Sequence, residues 1–158
     1  MTLRVALLAT LAVLSHPAAG QVLMEPNVSV KMALTIATTA LDACTVRATV
    51  VVVDRAGRIR VFLQGDGAMP HNLEIARRKA YTAGTFGRTS LEWAQRTETQ
   101  NQGQRMLTDV LPQQGGVPIK FGDATIGGVG LSGAPNGGQQ EEDCAKAGIA
   151  RVADQLKK

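Results

Sequence analysis

Apolar positions recur every three to four residues between Ser29 and Cys44. Ala33, Ala37, Ala40, Leu41 and Cys44 fall on one stripe, which predicts a helix with Ser29 as its cap. Ala48 to Asp54 is then a continuous valine-rich run, the pattern of a strand buried on both faces. Asp54-Arg55-Ala56-Gly57 has turn chemistry: an aspartate that can bond its own following backbone, and a glycine able to take positive φ. From Ile59 to Gln64 the pattern alternates, with Ile59, Val61 and Leu63 on one face and Arg58, Arg60 and Phe62 on the other, so the two runs predict a hairpin. After the loop at Gly65-Asp66-Gly67-Ala68, helical spacing returns from about Pro70 to Phe86, with Leu73, Ala76, Ala80 and Ala83 on its stripe and Gly87 at its end. Residues 88–116 are polar and glutamine-rich and predict short helical pieces joined by loops. Val117–Phe121 and Ala124–Ser132 predict a second hairpin around Gly122-Asp123. A glycine-rich loop covers 133–138. A last helix is expected from Glu141, with Ala145, Ile149, Val152 and Leu156 on its stripe. Hairpins imply antiparallel pairs, so the chain reads as a single α/β (α+β) domain: one mainly antiparallel sheet flanked by helices.

The first twenty residues follow a different logic. Arg4 precedes an apolar run from Val5 to Leu14 interrupted only by Thr10, and Pro17-Ala18-Ala19-Gly20 supplies small residues before Gln21. This is the order of a secretory signal peptide over 1–20, leaving a domain over 21–158 and a periplasmic or secreted location. A run of about ten residues is too short to anchor, because crossing a bilayer takes roughly twenty. Removing the leader lowers the formal charge from +4 to about +3. That is too mild a balance for a nucleic-acid binder. Aromatic residues make up 3% of the chain, so the core must be built from Val, Ile, Leu and Ala. Cys44 and Cys144 are open to two readings: a disulfide in an oxidising compartment, or two small buried thiols.

Two motifs match on paper and fail in context. Gly128-Val129-Gly130-Leu131-Ser132-Gly133 fits a dinucleotide fingerprint, but its first glycines lie inside a predicted strand, with no following βαβ helix. Glycines there serve better to let a helix backbone sit close on the sheet. Gly130-Leu131-Ser132-Gly133-Ala134 nearly copies a hydrolase nucleophile elbow, yet no histidine follows the serine. Structural zinc needs four Cys or His ligands, which the domain lacks. His71 remains, beside Met69 and just before Arg77-Arg78-Lys79. Haem takes an axial ligand, an apolar face and cations for its propionates. His71 and Met69 suit the iron, and Arg77, Arg78 and Lys79 suit the carboxylates. A lone histidine at a helix start is more often an unpartnered surface residue. No acid/base pair is visible, which favours binding over catalysis.

Six stretches carry a family resemblance in one consistent order: Val51 to Gly57, Gly65 to Ala68, Glu74 to Ala83, Gly115 to Ile119, Ile126 to Gly133, and Asp143 to Gly148. Together they cover nearly all of the domain, and the chain resembles the GlcG/HbpS-type haem-binding family. The resemblance implies a profilin-like α/β sandwich with a five-stranded type of largely antiparallel sheet, and assembly into homo-oligomers. It also implies haem as ligand, in a carrier, a scavenger or a redox-sensing accessory protein with a sensor or oxidoreductase partner. The alternative is an oligomeric accessory subunit, a carboxylate-binding protein or an enzyme linked to an oxidation pathway. Its ligand would sit among Gly115 to Pro118, the Asp54–Gly57 turn and the loop near Ser132.

Overall fold

The first helix, α1, runs Val30–Asp42, and Ser29 caps it by accepting from the Met32 amide at 3.1 Å. The structure, a computed structural model, describes residues 20 and 22–157. The signal-peptide reading therefore lies outside the described residues but for Gly20. After α1 come β1 (Thr49–Asp54), β2 (Ile59–Gln64), α2 (Asn72–Phe86) and α3 (Ser90–Thr99). A 3₁₀ turn at Gln102–Met106 leads to β3 (Gly116–Phe121), β4 (Ala124–Ser132), α4 (Gly138–Ala150) and a final 3₁₀ turn at Ala153–Gln155.

The sheet has order β2-β1-β4-β3, and all three pairings are antiparallel. Both expected hairpins form. Four strands are present among the described residues rather than five. The polar stretch after Gly87 has no alternating pattern and folds as α3 and a 3₁₀ turn, led by a Thr89/Glu92 capping box. The last helix also begins earlier than expected, at Gly138, so its acids lie within its first turns.

The valine run is explained by three layers. Val50 and Val52 face a core shared with α1 and α4, while Val51 and Val53 face α2 through Ala76 and Ala80. All four are fully buried, and each contributes about 1.5–3 kcal/mol of burial. β2 departs from strict alternation. A bulge pairs Val53 with Ile59 and skips Arg60, so Val61 and Leu63 reach the core but Ile59 does not.

α2 lies directly on β4 because β4 presents glycines at the crossing and α2 presents alanines. A Cβ at Gly130 would stand 2.2 Å from the Ala76 carbonyl oxygen, and one at Gly128 would stand 2.2 Å from that of Ala80. The G-x-G-x-x-G match is thus a packing surface. Among the described residues no helix is long and apolar enough to cross a membrane.

Candidate functional site

Three connections meet at one end of the sheet: the α1–β1 loop, the β2–α2 loop and the β4–α4 loop. Between them lies a cleft of about 560 Å³ lined by Thr45, Arg47, Gly67, Met69, His71, Asn72 and the segment 133–135. That volume is in the range of small-molecule sites.

His71 occupies the N-cap position of α2 with φ −70° and ψ −17°, and its side chain makes no capping bond. Its imidazole is exposed and has no hydrogen-bond partner among the described residues. Met69 sits on the same wall and is 58% exposed. The structure thus places both expected iron-ligand candidates together in a cavity.

The three consecutive cations do not join them. Successive helix positions are turned by about 100°, so neighbours in sequence leave the helix in different directions. Arg77 holds Glu74 through Nε and Nη2 at 3.0 and 2.9 Å, and Asp109 through Nη1 at 2.9 Å. The bond to Arg77 is the main force that lowers the Glu74 carboxyl below its ordinary range. Arg78 donates to the Val110 carbonyl at 2.6 Å, and its buried Nε has no partner among the described residues. Lys79 is fully buried, with Nζ 2.5 Å from Glu141 Oε2 and 3.2 Å from the Leu131 carbonyl oxygen. The expected basic cluster for carboxylates is therefore three separate structural contacts.

The cation in the cleft is Arg47, 24 residues before His71 and just ahead of β1. It is exposed, and its guanidinium has no ion pair or hydrogen bond among the described residues. A search for charge beside His71 in sequence misses it, because Arg47 lies across the β1–β2 hairpin, whose register sets Thr49 opposite Gln64 and so brings the α1–β1 loop to the β2–α2 loop.

Lys79 acts on the cleft from behind. Glu141 Oε1 accepts from the Gly133 amide at 2.8 Å and the Ala134 amide at 3.4 Å, while its other oxygen holds Lys79. Burial pulls the Lys79 ammonium below the usual lysine range, and Glu141 opposes that pull. Ser132 Oγ donates to Asn72 Oδ1 at 3.2 Å and ties the same turn to the start of α2. Gly133 has φ +103°, and a Cβ there would stand 2.5 Å from Asn72 Nδ2 and 2.6 Å from the Arg47 carbonyl oxygen. One wall of the cleft is therefore main chain held by buried charge.

The alternative ligand position does not assemble. Asp54 pairs with Gly127 at one end of β1, and Thr49 pairs with Ser132 at the other, about 16 Å away at strand rise. Gly115 and Gly116 are buried, and the Gly116 amide donates to Ser90 Oγ at 2.8 Å. The Asp54–Gly57 turn opens instead on a separate cleft of about 500 Å³ with Tyr81, Thr85 and Thr125. No group of three metal donors occurs among the described residues.

A family model described as "Haem degrading protein HbpS-like" matches residues 28–150. No curated protein matches the chain. Among solved structures, HbpS is similar at 33% identity, with 84% of this chain and 94% of that chain covered and a TM-score of 0.77. A double mutant of Streptomyces reticuli HbpS is similar at 31% identity over 89% and 97% of the two chains, with a TM-score of 0.79. A PduOC:heme complex shares the fold at 22% identity, with 80% and 96% covered and a TM-score of 0.66.

Proposed function

The chain belongs to the HbpS-like family, and from that premise we propose that it is an exported haem-binding protein whose site is the cleft holding His71. The observation that carries the proposal is an imidazole and a guanidinium without partners among the described residues, His71 and Arg47, lining one cavity of suitable size. The family's description and the haem-bound relative support the choice of ligand.

The residues fit haem chemically. His71 offers a nitrogen donor to the iron and Met69 a thioether. Arg47 offers a forked cation to a propionate, the pairing for which guanidinium geometry is suited. Ala134 and Pro135 give a small apolar face, and Gly67 and Gly133 keep bulk away from a flat ligand. Among the described residues no aromatic ring lines the cleft, so their contact with the macrocycle comes from these small residues. Bound haem would supply axial ligation and redox chemistry at iron. The chain's part is to present the ligand, neutralise a carboxylate and hold the 133–134 wall through Glu141.

Export rests on the order of charge, apolar run and small residues in positions 1–20. Assembly into a homo-oligomer is supported by the open edge of β2, where Ile59 and Phe62 are exposed.

Titration of the purified chain with haemin tests the function. A saturable, shifted Soret band at a one-to-one ratio is expected. Absorbance that follows free haemin with no saturation overturns the proposal.

A further inference from the structure

The chain's two cysteines lie on one helix seam, far apart in sequence but opposite each other in the fold. In α4, Gly148 packs so closely on α1 that a Cβ there would stand 2.5 Å from the Ile36 carbonyl oxygen and 3.0 Å from Ala40 Cβ. One helical turn beyond Ala40 is Cys44, and one turn before Gly148 is Cys144. Because α1 and α4 run antiparallel along this seam, those two steps lead to the same place. Cys144 Sγ lies 3.7 Å from the carbonyl oxygen of Ala43, the residue next to Cys44. A disulfide requires Cα atoms roughly 4.4–6.8 Å apart, and the close contact of Gly148 with Ile36 and Ala40, one turn away, holds α4 near α1 at this level.

We propose that Cys44 and Cys144 are a dithiol that an external disulfide donor converts into an intrachain disulfide, stapling the turn after α1 to the middle of α4. Cys44 is half-buried and Cys144 is 4% exposed, so the donor meets Cys44 first. The Cys44 thiolate displaces one sulfur of the donor and forms a mixed disulfide. The Cys144 thiolate then attacks Cys44 Sγ and releases the second sulfur. One S–S bond breaks in the donor and one forms in the chain. The two thiol protons pass to the departing sulfurs, and the donor takes both electrons.

The setting makes this a slow staple. Burial, reinforced by the neighbouring thiol, pushes Cys44 up to about 12, and burial raises Cys144 as well. Thiolate is scarce at neutral pH in such a pair, so exchange is slow and quickens with pH. Thr45, the next residue, lines the His71 cleft, so the staple also fixes one of its walls.

The test uses the purified full chain and glutathione disulfide at about pH 8, where exchange outpaces that at neutral pH. Thiols are counted after denaturation, and mass is read without reductant. Both thiols should disappear, with a mass loss of about two daltons, one for each proton removed, and dithiothreitol should restore them. Cys144→Ser should stop at one glutathione adduct on Cys44. Two persistent thiols, a stable adduct on the unmodified chain, or a disulfide-linked pair of chains would each overturn the proposal.

Discussion

At Lys79 a full positive charge is withdrawn from water and answered by a single carboxylate, Glu141, which in turn holds the Gly133 and Ala134 amides. Removing one member of such a pair strands the other. Lys79→Met is expected to cost about 3–5 kcal/mol in denaturant unfolding, and adding Glu141→Gln, which removes the stranded charge and keeps an oxygen for the two amides, should return much of that loss. Equal losses in the single and double variants would show that the pair does not act as a unit. Arg47 has no partner among the described residues, so Arg47→Ala should weaken haemin binding by roughly tenfold, the scale of one charge-assisted bond. At Cys44 the folded chain keeps a proton that the unfolded chain releases, because burial raises the thiol from 9.0 to about 12. Stability of the reduced chain should therefore fall, relative to Cys44→Ser, as pH rises from about 9 towards 12. A denaturation midpoint difference that stays constant across that window would contradict this.

Between elements, the contact of α2 with β4 is made by main chain on main chain. Gly130→Ala places a methyl 2.2 Å from the Ala76 carbonyl oxygen, with only backbone available to yield. A loss of about 1–3 kcal/mol or more is expected, seen as a lower melting temperature. This packing was legible in the sequence, because glycines inside a strand beside an alanine stripe have few other uses. So were both hairpins and the double-sided burial of β1, each of which has a local pattern. The pairing of β1 with β4 was not legible. Its register joins residues more than seventy positions apart, and no local pattern fixes it. Arg47 reaches His71 through the β1–β2 register, Thr49 opposite Gln64, which the hairpin pattern already implied; the site's cation was sought among Arg77, Arg78 and Lys79 because they follow His71 closely in sequence. The helical period already argued against treating three consecutive residues as one surface. α3 was within reach, since Thr89 and Glu92 are a capping box three positions apart.

For the whole molecule, the staple and the cleft belong to the same end of the fold. Closing a loop of about 100 residues restricts the unfolded chain by roughly 4–5 kcal/mol when the native geometry is unstrained. The oxidised chain should melt on the order of ten degrees above the reduced one, as read by calorimetry with and without dithiothreitol. A melting temperature independent of reductant would mean the bond is strained or absent. The central claim is that haem sits at His71 and not at the arginines of α2. The measurement that tests it most directly is a paired Soret titration of His71→Ala and Arg77→Ala beside the unaltered chain. His71→Ala should lose the saturable band, while Arg77→Ala, whose guanidinium is held by Glu74 and Asp109, should keep it. An unchanged band in His71→Ala, or its loss in Arg77→Ala alone, would contradict the account.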